Sequence, residues 1–159
     1  VLERLEISAD LKLVEALATK AAELERVRLY PDVVPTISAL KARGIKTAVL
    51  TTIPIWRFQH ILSANSVKID FICTAKEAKA VKPNPKIYQV VLKKLGVKPN
   101  EALMVGDNPK TDIIPPKNMG MKAVMLCREG KKTVEEAYDV ITSLTELLNI
   151  VNEPESNWV

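Results

Sequence analysis

Two apolar rhythms alternate along this chain. One is a short, mostly apolar run, seen at Lys46–Thr52, Phe71–Thr74, Ala102–Val105 and Ala123–Leu126. Such runs, bounded by turn residues, read as buried strands. The other rhythm repeats every three or four residues and reads as an amphipathic helix. Leu11, Val14, Leu17, Ala18 and Ala21 follow it within residues 1–28, a stretch rich in Glu, Lys and Ala that contains no Gly or Pro. Ser8 and Asp10 are candidate caps there, and the segment predicts a pair of helices outside the sheet.

Tyr30-Pro31-Asp32 interrupts the pattern. A helix is predicted from Val33 to Arg43, with Ile37 and Leu40 inward and Gly44 as its stop. A second is predicted from Pro54 to Asn65. Lys82-Pro83-Asn84-Pro85 reads as a rigid loop, with Asn84 capping and Pro85 opening a helix striped by Ile87, Val90, Val91 and Leu95 and ended by Gly96. A short helix is expected from Ile113 to Met119. Thr133–Glu136 and Ser143–Glu146 both match the capping-box pattern, the second opening a final helix through Ile150. Strands alternating with helices in this way predict an α/β fold, a parallel sheet covered on both faces. The domain reading is a helical segment over 1–28, an α/β core over 29–150 and a polar tail over 151–159.

Composition narrows the classes. The chain has 159 residues, 47% hydrophobic and 26% charged, enough for one domain with a real core. Its net charge is +4, but the 23 Lys and Arg residues are scattered and never run longer than a pair. A nucleic-acid surface shows a clustered stripe instead. Cys73 and Cys127 each sit in an apolar run and read as small core residues rather than a disulfide or metal pair. No apolar stretch reaches membrane-span length and no secretory signal opens the chain, so the expectation is a cytoplasmic protein with no membrane or nucleic-acid partner.

Candidate chemistry falls at the ends of the predicted strands, where open α/β sheets bind ligands. Thr51 and Thr52 end one strand. Lys82 lies in the Pro-fixed loop. Val105-Gly106-Asp107-Asn108 runs out of another strand, with Asp112 close behind. A hydroxyl, an ammonium and two carboxylates together suit a phosphoryl group and a hard divalent cation such as Mg²⁺. Each has a plainer reading. A terminal Thr is common packing, a loop Lys is commonly solvated, and Gly-Asp-Asn-Pro alone is a turn. His60 reads as structural, and Trp56 and Phe58 as packing or surface residues.

Taken in order, these motifs resemble the haloacid dehalogenase (HAD) superfamily. Thr51 resembles its second motif, Lys82 its third, and Asp107 with Asp112 its fourth; Leu29-Tyr30-Pro31 resembles the lead-in after its cap. The resemblance spans about residues 29–150. It implies a Rossmann-like three-layer core with cap-derived helices before it, and Mg²⁺-dependent phosphoryl transfer through an aspartyl-phosphate on a small phosphorylated metabolite. By this resemblance Thr51 and Lys82 are catalytic, Asp107 and Asp112 hold the metal, and Thr52 and Asn108 meet substrate. Receiver domains use similar residues in another order. Asp107 favours the phosphatase type over a 2-haloacid dehalogenase-type hydrolase, and a non-catalytic HAD-like binding module is the remaining alternative.

Three features depart from the family pattern. Thr52 stands where many relatives have Asn. Pro115-Pro116 stands where relatives run into helix, which a late helix start accommodates. The Asp-x-Asp strand that supplies the family's nucleophile has no counterpart, since Asp10 lies in a helical context. In the family that strand is central. The expectation is therefore that a missing N-terminal segment or a swapped neighbour supplies it, because a core left open at its centre would not be stable.

Overall fold

The computed structural model describes residues 28–52, 55–130 and 134–152, with Ala16 alone before them. The helices expected over 1–28, the Pro54 helix start, Thr133 and the end of the tail lie outside the described residues.

Helix α1 (Val33–Ala42) follows Asp32 and ends through Arg43 at Gly44, whose φ of 73° suits a residue without Cβ. Its inward face is Thr36 and Leu40; Ile37, expected inward, is only half-buried. Strand β1 (Ala48–Leu50) is shorter than the predicted Lys46–Thr52. The Asp70 carboxylate takes the Thr47 N–H at 2.8 Å, so a side chain replaces the strand ladder at its entry. Helix α2 (Ile55–Ala64) leads to β2 (Phe71–Cys73), which pairs with β1 in parallel register, Ala48 to Phe71 and Leu50 to Cys73.

A short helix α3 (Ala75–Ala78) was not expected, although Thr74-Ala75-Lys76-Glu77 matches the capping-box pattern. The Thr74 N–H donates to Glu77 Oε2 at 3.1 Å. Helix α4 (Pro85–Leu95) has Pro85 in its first turn, Asn84 Oδ1 accepting from Lys86 N at 3.0 Å, and Gly96 in the left-handed region at its end. Its buried stripe is Ile87, Tyr88, Val91 and Leu92, with Val90 and Leu95 at the margin rather than in the centre.

Strands β3 (Leu103–Gly106), β4 (Lys122–Leu126) and β5 (Asp139–Ile141) form a second parallel sheet in the order β3-β4-β5. Strand β5 was not predicted. Asp139-Val140-Ile141 is too short to carry a period, and the Thr133–Glu136 pattern suggested a helix nearby; residues 134–137 instead make a turn closed by Ala137 N to Val134 O at 3.0 Å. Between β3 and β4 a wide turn over Pro109–Ile113 runs into α5 (Ile114–Asn118), so Pro115 and Pro116 fall in its first turn. The Ser143 capping box forms as expected and leads through a 3-10 turn into α6 (Leu147–Ile150).

Alternate residues of β4 bury on opposite faces. Ala123 and Met125 pack with Ile113 on one, Val124 with Leu147 and Ile150 on the other. That is the period of a doubly covered sheet. Helix α4 spans the two sheets, setting Ile87, Tyr88 and Val91 against Leu50, Cys73 and Met104. The single sheet expected from the sequence is thus parted. Among the described residues, strands β1 and β3 each pair on one side only. Every residue of both is half-buried, whereas three of the five β4 residues are buried. Among the described residues no helix is long and apolar enough to cross a membrane.

Candidate active site

Two loops converge at the carboxyl end of β3. The first carries Lys82, followed by a cis Lys82–Pro83 peptide bond and the Asn84 cap of α4. The second leaves β3 through Gly106-Asp107-Asn108. Asn108 Oδ1 accepts from Lys110 N at 3.0 Å and its carbonyl accepts from Asp112 N at 2.7 Å, which closes the turn. The turn carries Asp112 back beneath the end of the strand.

Asp112 is almost wholly buried, at 3% exposure, and accepts from three donors. Its Oδ1 accepts from Lys82 Nζ at 2.6 Å and from Thr111 Oγ1 at 3.1 Å. Its Oδ2 accepts from the Asn108 N–H at 3.2 Å. Gly106 is required by this packing. A Cβ there would stand 2.3 Å from Asp112 Cβ and 2.4 Å from Oδ2, far inside contact distance. Beneath the turn the buried Tyr88 hydroxyl donates to the Thr111 carbonyl. Burial, and next the Asp112 charge, push the Tyr88 phenol up to about 12, so it stays a donor.

The structure therefore brings Lys82, Asp107, Asn108 and Asp112 into one loop cluster. Asp107 and Asn108 are exposed above Asp112. Thr51 and Thr52 stand at the carboxyl end of β1, in the other sheet, where the Thr51 amide donates to the Cys73 carbonyl at 3.1 Å. Thr51 is half-buried and Thr52 exposed. Cys73 and Cys127 are free and buried; burial, and secondarily the Glu77 charge, raise the Cys73 thiol above its ordinary value.

The donors present fit a hard divalent cation. Asp107 is an exposed carboxylate, and each Asp112 oxygen has two lone pairs, of which one on Oδ2 remains after the Asn108 contact. Two carboxylates from one loop, with waters completing the sphere, suit Mg²⁺. Among the described residues no cluster of three or more His, Cys, Asp or Glu side chains forms, so a denser all-protein cage is not what these residues offer.

Sequence reasoning missed a second set of residues. A cavity of about 490 Å³ opens beside Asp107, walled by Tyr30, Met125, Cys127, Arg128 and Glu129. Arg128 forks onto Asp32, and Ser143 Oγ and the Leu144 N–H donate to the same carboxylate. Burial alone would raise the Asp32 carboxyl, but the bonds from Arg128, Leu144 and Ser143 outweigh it and hold it at about 2. Partners 96 to 112 residues apart have no local signature. Tyr88 sits in the stripe of α4, and its hydroxyl, which must find a partner when buried, was the available signal.

Residues 2–126 match the family model described as haloacid dehalogenase-like hydrolase. A glyceraldehyde 3-phosphate phosphatase of Methanocaldococcus jannaschii is 34% identical over 131 residues, covering 79% of this chain and 57% of that protein. The pyrophosphatase PpaX of Bacillus cereus is 34% identical over 136 residues, covering 81% of this chain and 62% of that protein. The crystal structure of a HAD phosphatase from Thermococcus onnurineus superposes with a TM-score of 0.77 at 32% identity, covering 87% of this chain and 64% of that one. The chain thus spans about three fifths of the length of these relatives.

Proposed function

The chain belongs to the haloacid dehalogenase-like hydrolases, and from that premise we propose that the whole protein is a cytoplasmic, Mg²⁺-dependent phosphohydrolase acting on a small phosphorylated metabolite. One observation carries the reading: the Lys82 ammonium is fixed on Asp112 at 2.6 Å, beside the exposed Asp107 at the end of β3. A cation held by a buried carboxylate and a second carboxylate facing outward are the two charges that phosphoryl transfer needs in place before substrate arrives. Relatives named as phosphatases of glyceraldehyde 3-phosphate and as a pyrophosphatase support the substrate class.

In this reading the Thr51 hydroxyl donates to a phosphoryl oxygen, and Thr52 and Asn108 meet the substrate. Lys82 neutralises charge on the transferring group and on the carboxylate that receives it. Asp112 holds Lys82 in place, and its remaining lone pair and the Asp107 carboxylate would hold the metal. Bound Mg²⁺ would supply charge neutralisation of the phosphoryl oxygens. The nucleophile comes from a segment outside this chain. Its first aspartate attacks phosphorus as the ester O–P bond breaks, the strand's second aspartic acid gives its proton to the leaving alkoxide, and that carboxylate then takes a proton from the water that hydrolyses the acyl-phosphate. The parted sheet supports this, because among the described residues β1 and β3 each offer a parallel edge to one further strand. Asp107 favours the phosphatase type over the haloacid dehalogenase type.

The test is p-nitrophenyl phosphate hydrolysis by the full-length protein with and without Mg²⁺. Asp107→Asn is expected to remove most of the Mg²⁺-dependent rate with the fold intact by circular dichroism. A variant as active as wild type contradicts the metal role.

A further inference from the structure

One wall of the cavity beside Asp107 is built from groups that the phosphoryl site does not use. Arg128 gives Nη1 to Asp32 Oδ2 at 2.9 Å and Nη2 to Asp32 Oδ1 at 3.1 Å, a bidentate pair. Asp32 Oδ2 also accepts from Ser143 Oγ at 2.9 Å and from the Leu144 N–H at 2.8 Å, so the carboxylate is locked by donors from two further segments of the chain. The guanidinium carbon lies 3.7 Å from the centre of the Tyr30 ring. One edge of the guanidinium thus meets a carboxylate and one face meets an aromatic ring. The side chains of Arg128 and Asp32 are 23% and 13% exposed, so water screens the pair little. Among the described residues that line the cavity, Arg128 is the one cation, while Asp107 and Glu129 are both acidic.

Resting on the phosphohydrolase reading, we propose that the Tyr30–Arg128–Asp32 clasp makes this cavity a receptor for an uncharged leaving group. Its substrates are phosphate monoesters of small neutral hydroxy compounds, and it discriminates against a second phosphoryl group. The phosphoryl group under transfer meets Lys82 and the metal site. A leaving phosphate would instead enter a cavity whose cation is already neutralised by Asp32 and whose acidic residue away from the metal site, Glu129, repels it. A neutral carbon chain meets no such penalty, and the Tyr30 ring and Met125 offer it apolar contact. The clasp residues are positioning residues: they act by setting the charge and shape of the wall.

The experiment compares kcat/KM of the full-length protein, with Mg²⁺, on glycerol 3-phosphate and on inorganic pyrophosphate. Wild type is expected to favour the ester by about tenfold or more. Asp32→Asn keeps the shape of the side chain and leaves the guanidinium charge uncompensated. It is expected to raise the pyrophosphate-to-ester ratio about tenfold. Arg128→Met removes the cation and is expected not to raise that ratio, even where Asp32→Asn fails to fold. A wild type that favours pyrophosphate, or an unchanged ratio in folded Asp32→Asn, overturns the inference and leaves the phosphohydrolase reading standing. A wild type inactive on both compounds overturns the two together.

Discussion

The Lys82 ammonium lies 2.6 Å from Asp112 Oδ1, joining two loops 30 residues apart in the chain. The two side chains are 18% and 5% exposed, so neither charge is well solvated without the other. Removing the carboxylate strands Lys82 and also takes the acceptor from Thr111 Oγ1 and the Asn108 N–H. Asp112→Ala is therefore expected to cost about 3 kcal/mol. Lys82→Met strands the Asp112 charge but leaves it two donors, and is expected to cost less, about 2 kcal/mol. Urea unfolding of the two variants in the full-length protein checks the order, and equal losses would contradict the asymmetry.

Gly106 and Gly44 make a matched pair of tests. At Gly44 the φ is 73° and a Cβ would meet nothing within 4 Å, so Gly44→Ala carries only backbone strain, about 1 kcal/mol. At Gly106 the new Cβ would collide with Asp112 Cβ at 2.3 Å. Relief requires Asp112 to leave Lys82 or the whole turn to shift, at about 2–4 kcal/mol. The difference between the two midpoints of thermal unfolding is the measurement; a Gly106→Ala variant as stable as Gly44→Ala would mean that Asp112 is not seated against the strand.

How much of this was legible depends on the range of the interactions. Asn84, Pro85 and Gly96 bracket α4 by local backbone chemistry, and both ends of that helix came from sequence. The Gly106–Asp112 turn was legible as a chemical motif, though not the reason for its glycine, which is a contact within the folded turn. Strand β5 was missed because Asp139-Val140-Ile141 takes its identity from pairing with β4 rather than from its own pattern. The Arg128–Asp32 pair was missed for the same reason at longer range: an Arg after a strand and an Asp before a helix are each ordinary. Ile37 was misassigned because Thr36 occupies the buried side of α1, and a polar residue there runs against the hydrophobic pattern.

Acid is expected to weaken the protein through two carboxylates. Hydrogen bonds from the Thr47 N–H and Lys41 hold Asp70 at about 2 against a small opposing effect of burial, and the Arg128 clasp holds Asp32 at about 2. Both folded values lie below the ordinary 3.8. Their contribution is therefore complete above about pH 4 and is lost as pH falls towards 2. Asp32 accounts for about 2 kcal/mol; Asp70, with a side chain 38% exposed, contributes less because solvent screens it. Unfolding free energy measured against pH should fall through this window in wild type and fall less steeply in Asp32→Asn. An identical slope would mean that the clasp does not hold Asp32 ionised.

The last expectation concerns the parted sheet. Among the described residues, strands β1 and β3 each present a ladder edge with no partner, and their residues are only half-buried. An exposed parallel edge with Val49 and Val105 on it is a template for another strand. Residues 1–159 alone are therefore expected to unfold with low cooperativity and to associate as concentration rises. They are also expected to hydrolyse no phosphate ester above background. Asp112 is engaged by Lys82 and Asn108, and Asp107, assigned to the metal, is a poor nucleophile there. Joining the chain to a segment that supplies one Asp-bearing strand should restore three properties together: a single sharp thermal transition, a concentration-independent mass in solution, and Mg²⁺-dependent turnover. Replacing that strand's first aspartate by Asn should abolish turnover alone, since backbone pairing does not need the carboxylate. Robust hydrolysis by residues 1–159 without any added strand would show that a nucleophile within this chain had gone unrecognised.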